Sequence, residues 1–303
     1  SFIRLLRLHL IKWNLEKYQR FLAPGFEPFD PIKLAEETER IVTRPGPEGL
    51  ERKYTGFYSV PVYRGISTGY AVGCCLRCIF CWSNWSRDFP EKFGEYYSPK
   101  EAARRLFKAA EEGVSYSEYW RRVLPKVDKL RVSGCEPTIG IGHLLKVLEH
   151  VSASKYPLFI LETNGVILGS DVSLVGRLAE FKSKLYVRVS FKAATPEGFT
   201  MRTGAQGEFY MLPFKALKHL LDEGVHARAA AMTDRRIMPE EERMLLIQLL
   251  DEIDPEARYS ETLEEEVIDA YDTSVKRLKA FSDKEYAERL ENEILGFKET
   301  REK

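Results

Sequence analysis

Extended and helical segments alternate along the middle of this chain at a nearly constant spacing. The extended segments are predicted near residues 67–72, 129–134, 157–163, 185–191 and 225–232, and the helical patterns near 99–112, 141–152, 171–182, 209–222 and 239–251. Those that begin at 129, 157 and 185 are 28 residues apart, which suits one β–α unit. Residues 158–161 and 185–189 are mostly apolar, as strands of a parallel sheet covered on both faces are. The alternation predicts an α/β fold, either a barrel or a doubly wound sheet.

Polar residues and glycine recur where the predicted strands end. The second strand ends in Ser-Gly-Cys-Glu-Pro (133–137), the third in Glu-Thr-Asn-Gly (162–165) and the fourth in Ser-Phe-Lys (190–192), and the fifth carries Arg228. Any one of these stretches is compatible with an ordinary turn. The carboxyl ends of parallel strands lie on the same rim of a sheet, so the recurrence predicts one polar site at that rim.

The regions on either side of this core differ from it in composition. Residues 1–22 are predicted to form a basic amphipathic helix that packs on the domain, and residues 23–50 to form a connector with one short helix near 31–42. Residues 54–64 favour extended structure, whereas the charged sequence from about residue 263 favours helices. The chain is thus divided into an N-terminal extension (1–60), a core (61–262) and a C-terminal helical cap or arm (263–303).

Composition excludes several classes of protein. The hydrophobic content of 44% is enough for a sizeable core and excludes global disorder. The 46 basic and 46 acidic residues balance, so a globally basic nucleic-acid binder is not indicated. No run approaches the roughly 18 apolar residues of a membrane-spanning helix. Clustered thiols without an export signal predict a cytoplasmic protein.

Three cysteines in the loop after the first extended segment are candidate metal ligands. Cys74, Cys78 and Cys81 are separated by three and then two residues, and aromatic residues flank the last of them. Thiolates at this spacing can bind three irons of a [4Fe–4S] cluster and leave the fourth iron without a protein ligand. Clusters that only carry electrons usually have four cysteine ligands. An iron without a protein ligand can bind a substrate or cofactor, so the loop predicts chemistry at the cluster.

Two other uses of clustered cysteines compete with this interpretation. A disulfide is disfavoured because the cysteines number five, which is odd, and no signal peptide opens the chain. Structural zinc takes four protein ligands in tetrahedral geometry. The other cysteines, Cys75 and Cys135, and the scattered histidines supply no paired ligand motif. A zinc-stabilised, non-catalytic α/β binding module is therefore the alternative to an iron–sulfur enzyme.

The motifs resemble those of the radical S-adenosylmethionine (radical SAM) superfamily. The spacing of the three cysteines, with Phe80 directly before the last of them, is that superfamily's signature. Residues 133–137 look like its Gly-Gly-Glu-Pro motif, with Cys135 in place of the second glycine. Residues 162–165 are similar to a strand end of its glycyl-radical-enzyme activating (pyruvate formate-lyase activating enzyme-like) branch. Ser-Phe-Lys, Pro-Glu and Thr-Gly then follow in the order of that branch, with Ser190 where it has aspartate.

The resemblance implies roles for particular residues. Cys74, Cys78 and Cys81 would ligate a [4Fe–4S] cluster whose fourth iron binds the amino and carboxylate groups of S-adenosylmethionine. Lys192 and Arg228 would balance the charge of that carboxylate. The residues implied to contact or orient S-adenosylmethionine are Phe80, Gly134, Cys135, Glu136, Pro137, Glu162, Asn164, Ser190, Lys192 and Arg228.

The resemblance covers residues 66–252 and implies a partial (β/α)6 barrel with N- and C-terminal helical extensions. The implied activity is reductive cleavage of S-adenosylmethionine to methionine and a 5′-deoxyadenosyl radical, which takes hydrogen from a substrate. An electron donor such as flavodoxin or ferredoxin would supply the electron. The order of the motifs favours a glycyl residue of a partner protein as the substrate.

The alternative substrate is a nucleoside, a tRNA or a small metabolite. A nucleic acid would meet the basic N-terminal helix, and its bases would stack on a platform of aromatic side chains. The aromatic residues predicted to form such a platform are Tyr54, Phe57, Tyr58 and Tyr63.

Overall fold

One mixed sheet of nine strands organises the residues that the computed structural model describes, which are 18–113, 127–254 and 263–296. Six strands run parallel and neighbour one another in chain order. They are β3 (Ile66–Ala71), β5 (Lys129–Ser133), β6 (Leu158–Thr163), β7 (Leu185–Phe191), β8 (His226–Met232) and β9 (Leu263–Glu266). A doubly wound sheet reverses its strand order at a switch point. The unreversed order is that of a partial (β/α)6 barrel, so this predicted fold is confirmed.

Three further strands extend the sheet on the side of β3. They are β1 (Thr43–Gly46), β2 (Gly49–Val60) and β4 (Glu95–Tyr97), and β2 pairs antiparallel with β1, β3 and β4. The N-terminal extension is therefore hydrogen bonded into the core sheet through β2. The extended structure expected for residues 54–64 ends at Val60, where a short 3₁₀ turn follows.

Helices cover the outer face of the parallel strands and flank the sheet. They are α1 (Pro31–Val42), α2 (Pro99–Glu112), α3 (Ile141–Ser152), α4 (Val166–Ser170), α5 (Ser173–Ala179), α6 (Pro196–Thr203), α7 (Leu212–Asp222), α8 (Glu240–Ile253), α9 (Asp272–Ser282) and α10 (Lys284–Gly296). The helix predicted over 171–182 is shorter, because Asp171 is extended and accepts hydrogen bonds from Ser173 ahead of α5. No helix in the described residues is both long and apolar enough to cross a bilayer.

The main hydrophobic core lies between the parallel strands and these helices. Phe159, Leu161 and Val187 on the strands are fully buried, as are Phe214 and Leu250 on the helices. Burying one such side chain stabilises the fold by about 1.5–3 kcal/mol. This core fixes the strands, and with them the positions of the loops at their carboxyl ends.

The C-terminal region begins with a strand, where the sequence predicted a helix. Leu263 is buried and pairs with Ala229 of β8. Glu264 and Glu266 both form ion pairs with Arg188 of β7. These long-range contacts outweigh the helical preference of a glutamate-rich tetrapeptide. The helices predicted further on are present as α9 and α10.

The basic helix predicted over residues 1–22 lies mostly outside the described residues. Its described part, residues 18–22, is not helical, and Phe21 and Leu22 are buried. The last seven residues, 297–303, also lie outside the described part of the chain.

The aromatic residues that the sequence suggested as a stacking platform are engaged in other contacts. Tyr54 is 1% exposed and packs against Phe57, with ring centroids 4.9 Å apart. Tyr58 stacks on Tyr70 at 4.3 Å, and the Tyr63 hydroxyl donates a hydrogen bond to Glu162. Tyr54 is therefore unavailable to a stacking base because its ring is buried, whereas Phe57, Tyr58 and Tyr63 are half-buried and the platform stays a prediction for them.

The close contact between α4 and α7 provides a test of this packing. A Cβ atom added to Gly169 would lie 2.0 Å from the backbone oxygen of Leu212, whereas one added to Gly176 in α5 would meet nothing within 4 Å. We expect Gly169→Ala to lower the free energy of unfolding by about 1–3 kcal/mol through this overlap. Gly176→Ala should raise it by about 0.5–1 kcal/mol, since alanine favours a helix. Urea denaturation measures both, and equal stability of the two variants would contradict the contact.

Candidate active site at the carboxyl ends of the parallel strands

A cavity of about 230 Å³ lies at the carboxyl ends of the parallel strands. Loops after β3, β5, β6, β7 and β9 contribute to its wall. The predicted site residues that line it are Cys74, Cys78, Phe80, Cys81, Gly134, Cys135, Glu136, Glu162, Asn164, Ser190 and Lys192. In α/β barrels this end of the sheet carries the active site.

The cysteine loop leaves β3 at Gly73. Its φ of +85° is one that glycine adopts freely, and a Cβ atom there would lie 2.4 Å from Thr38. The Gly73 nitrogen donates to the Ser86 oxygen at 3.2 Å, and the Glu136 nitrogen donates to the Gly73 oxygen at 3.0 Å. The start of the loop is thus tied both to its own end and to the loop after β5.

Backbone hydrogen bonds hold the middle of the cysteine loop against the end of α6. The nitrogen of Arg77 donates to the Thr203 oxygen at 2.9 Å, and that of Ile79 to the Arg202 oxygen at 3.0 Å. A further bond, from the Cys81 nitrogen to the Cys78 oxygen at 3.2 Å, closes a turn. The protein itself therefore defines the path of the loop.

The three motif thiols lie in different electrostatic surroundings. Burial raises the pKa of Cys78 to about 12. A hydrogen bond with Cys75 lowers the pKa of Cys74 to about 7. Burial opposes ionisation of Cys81, but the guanidinium groups of Arg87 and Arg277 bring its pKa below the ordinary value. Metal ligation requires thiolates, and these two arginines favour that form at Cys81.

The two remaining cysteines also lie close to the loop. Cys75 is fully buried and lies 3.3 Å from the Asn164 side-chain nitrogen. Cys135 lines the cavity, its sulfur lies 3.7 Å from the Ser86 hydroxyl, and burial raises its pKa to about 12. Two further thiols thus lie near the motif cysteines, and of these Cys135 lines the same cavity.

Three thiols are the donors that the cysteine loop brings to the cavity. Within the described ranges no group of three or more Cys, His, Asp or Glu side chains is arranged to hold one metal ion. A [4Fe–4S] cluster attaches each cysteine to a different iron, so its ligands do not have to converge. Cys74, Cys78 and Cys81 on one loop facing one cavity meet that requirement.

Glu136 joins the ends of β5 and β6. Its side chain, 2% exposed, accepts hydrogen bonds from the Thr138 nitrogen and hydroxyl, from the Thr163 hydroxyl at 2.7 Å and from the Asn164 nitrogen at 2.8 Å. Ser83 of the cysteine loop donates a hydrogen bond to the Gly134 oxygen. The Ser-Gly-Cys-Glu-Pro stretch therefore positions its neighbours as well as lining the cavity, whereas Pro137 does not line it.

A buried charged network forms the floor of the cavity. Glu162 of β6 accepts hydrogen bonds from Arg131 at 3.0 Å and from Ser133 at 2.6 Å. Burial by itself would raise the pKa of Glu162, but Arg131 and Arg188 hold it below the usual range. Arg188 in turn pairs with Glu264 at 2.8 Å. Glu162 is thus an ionised acceptor that faces the cavity.

Lys192 and Ser190 lie together after β7. The Lys192 ammonium donates to the Ser190 hydroxyl and lies 5.7 Å from the centroid of the Phe80 ring. Its backbone oxygen accepts a hydrogen bond from Arg202 at 2.6 Å. The structure thus brings a cation, a hydroxyl and an aromatic face to one side of the cavity.

Arg228 is not where the sequence placed it. It is the third residue of β8, and its guanidinium lies 5.5 Å from the centroid of the Tyr186 ring. It does not line the cavity, whereas its neighbour in register, Arg188, does. β8 continues for four residues beyond Arg228, so Met232 reaches the cavity instead. An arginine inside the otherwise apolar run 185–189 was the signal that could have identified Arg188.

The loop after β9 also contributes to the cavity, which the sequence did not predict. Glu266, Val267, Ile268 and Asp269 line it, and Val267 is 66% exposed. Trp82 of the cysteine loop, 47% exposed, lines it as well. The rim thus carries exposed apolar side chains and acidic groups.

No family model matches the chain, and neither does any curated protein. Solved structures are similar over much of its length. SuiB from Streptococcus suis, bound to the precursor peptide SuiA, is 16% identical over 80% of this chain and 45% of SuiB, with a TM-score of 0.49. A radical SAM methyltransferase from Sphaerobacter thermophilus is 10% identical over 78% of this chain and 74% of the methyltransferase, with a TM-score of 0.48. Native anSMEcpe with bound AdoMet is 16% identical over 74% of this chain and 59% of its own, with a TM-score of 0.46. The chain spans less than half the length of SuiB.

The bridging role of Glu136 can be measured by stability. Glu136→Ala removes an acceptor from four buried donor contacts, and we expect it to lower the free energy of unfolding by about 3 kcal/mol. Glu136→Gln keeps one acceptor oxygen and should lose about half as much. Urea denaturation of the protein without metal measures both. A Glu136→Ala variant as stable as the unaltered chain would refute the bridge.

Proposed function

We propose that this protein is a radical SAM enzyme that holds a [4Fe–4S] cluster on Cys74, Cys78 and Cys81 and binds S-adenosylmethionine at that cluster. One observation carries the proposal. The three motif cysteines and the polar ends of β5, β6 and β7 line the same cavity at the carboxyl ends of the parallel strands. Five separate stretches of sequence were expected to share this rim, and the residues of four of them do.

The residues of the cavity suit the cofactor pair. Bound together, the cluster and S-adenosylmethionine supply a carbon radical able to take hydrogen from an unactivated C–H bond. Lys192 offers a cation for the methionyl carboxylate, and the Gly134 region offers backbone groups without an obstructing side chain. Glu162, held ionised by Arg131 and Arg188, is an acceptor for hydroxyl groups. Cys78, Ile79 and Phe80 are each 7% exposed, so this part of the cysteine loop is shielded from solvent.

We further propose a glycyl residue of a partner protein as the substrate, with flavodoxin or ferredoxin as electron donor in the cytoplasm. The order of the strand-end motifs supports a glycyl residue as the substrate. The exposed apolar side chains of Trp82 and Val267 at the rim also suit contact with a polypeptide. Stable association with a glycyl-radical protein would support this choice. Affinity for tRNA that falls steeply with salt would favour the alternative substrate instead.

A four-thiolate site is the competing function, because Cys135 lines the same cavity as the three motif cysteines. Four thiolates would bind structural zinc, or a cluster that carries electrons only. In either case the protein would be a binding or electron-transfer module rather than a radical enzyme. Whether three or four cysteines are needed to retain the metal therefore distinguishes the radical enzyme from the four-thiolate module.

Anaerobic reconstitution with iron and sulfide tests the cluster. We expect a brown protein that absorbs near ~400 nm, as thiolate-bound iron–sulfur clusters do. With dithionite and S-adenosylmethionine it should release 5′-deoxyadenosine. Cys78→Ala should lose most of the iron and all of this product, because one of the cluster's three anchors is gone.

Two further cysteine variants serve as controls for that experiment. Cys75→Ala, in the same loop but outside the motif, should keep both the iron and the product. Cys135→Ala should do the same if the fourth iron is open. A colourless protein that holds one zinc and loses it in Cys135→Ala would contradict the proposed function.

The role of Lys192 has its own test. We expect Lys192→Met to raise the dissociation constant of S-adenosylmethionine at least about tenfold, or about 1.4 kcal/mol, because the cation opposite the carboxylate is lost. Equilibrium binding to the reconstituted protein measures this change, and the iron content should stay unchanged. Lys218→Met, on the exposed side of α7, is the matched control. Equal affinity of Lys192→Met and the unaltered protein would rule out this role.

A further inference from the structure

Each motif cysteine has its backbone oxygen bound by a different arginine. Arg77 donates to the Cys74 oxygen at 2.7 Å, Arg87 to the Cys78 oxygen at 2.7 Å, and Arg277 to the Cys81 oxygen at 2.6 Å. No sequence motif relates the three arginines. They converge on the loop from within it, from the turn after it, and from α9.

These arginines are buried as deeply as the core. Arg77 is 0% exposed, and Arg87 and Arg277 are each 1% exposed. Asp88, 0% exposed, lies between the last two and accepts from Arg87 at 2.6 Å and from Arg277 at 2.6 Å. Three guanidinium groups and one carboxylate thus form a buried group with a net charge of plus two. We call these four residues the arginine cradle.

Buried charge that has no counter-charge is unfavourable, so the cradle calls for negative charge nearby. Three thiolates on the loop would supply it when they ligate a cluster. An oxidised [4Fe–4S] core of charge plus two with three thiolates carries a net charge of minus one, and a single electron makes it minus two. The reduced cluster therefore complements the cradle better than the oxidised cluster does.

We propose that Arg77, Arg87 and Arg277 are positioning residues that set the reduction potential of the cluster by stabilising its reduced form. This inference rests on the proposed function. Cluster potentials depend on net charge, hydrogen bonding and burial, and the cradle supplies all three around one loop. Each arginine acts through the backbone oxygen of its cysteine, and Arg87 also lines the cavity. Because Arg277 belongs to α9, the C-terminal region is part of the electron-accepting site.

Two substitutions of opposite charge effect test the proposal. Arg277→Gln lowers the net charge of the cradle by one and keeps a side-chain hydrogen-bond donor. Asp88→Asn raises the net charge by one, and asparagine has nearly the same shape as aspartate. We expect the midpoint potential to become more negative in Arg277→Gln and more positive in Asp88→Asn. An effect of tenfold in the equilibrium constant for reduction corresponds to about 59 mV for one electron. Redox titration of the reconstituted protein, followed by its electron paramagnetic resonance signal, measures both.

Arg20→Gln is the matched control. Arg20 donates to the Asp88 backbone oxygen at 2.6 Å and pairs with Glu91 at 2.9 Å, but its bonds reach none of the three cysteine oxygens. The midpoint potential of the cluster in the Arg20→Gln variant should equal that in the unaltered protein. If Arg277→Gln does not fold, Asp88→Asn and the equivalent Arg87→Gln variant still give the two signs.

The outcomes separate this inference from the proposed function. A cluster that forms and releases 5′-deoxyadenosine but has the same potential in all the cradle variants would overturn the inference and leave the function standing. Shifts of the same sign in Arg277→Gln and Asp88→Asn would also overturn it, since charge would not be the cause. A protein that holds no iron–sulfur cluster at all would overturn both.

Discussion

The candidate site depends on one buried carboxylate beneath the cysteine loop. Asp88 accepts hydrogen bonds from Arg87 and Arg277, and together these residues connect the loop to α9 across 189 positions of sequence. Burial by itself would raise the pKa of Asp88, but Arg277 and Arg87 hold it well below its usual range. Breaking a buried ion pair costs about 3–5 kcal/mol, because the remaining charge has no partner. The loop and the C-terminal helix are therefore stable together.

The barrel interior changes character along its strands. Near their amino ends, Ile66, Ile160 and Tyr186 form a small apolar cluster. Closer to the carboxyl ends the inward positions are charged, with Glu162 bound to Arg131. Each strand thus contributes to the core with one part and to the cavity with the other. The candidate site lies where the apolar filling stops, which places it in a polar but partly enclosed space.

Much of this arrangement could be predicted from local sequence. The regular spacing of the apolar segments located the parallel strands. Each segment is mostly apolar because a strand buried on both faces has apolar side chains on both. Cysteine spacing located the loop, and residues 133–136 and 162–164 line the same cavity as the motif cysteines. Arg228 and the segment 263–266 were misplaced. Arg228 lies four residues before the end of its strand, so later residues reach the rim, and at 263–266 ion pairs with Arg188 override helix propensity.

By itself, the sequence determined the fold class and placed three closely spaced thiols on one loop, because apolar periodicity and thiol spacing are properties of neighbouring residues. Only the tertiary structure decided what surrounds those thiols. The bond from Arg277 to the Cys81 oxygen joins residues 196 positions apart, and its strength comes from the exclusion of water by residues from several elements. No local pattern encodes that burial. The charge around the cysteine loop is therefore a property of the folded chain.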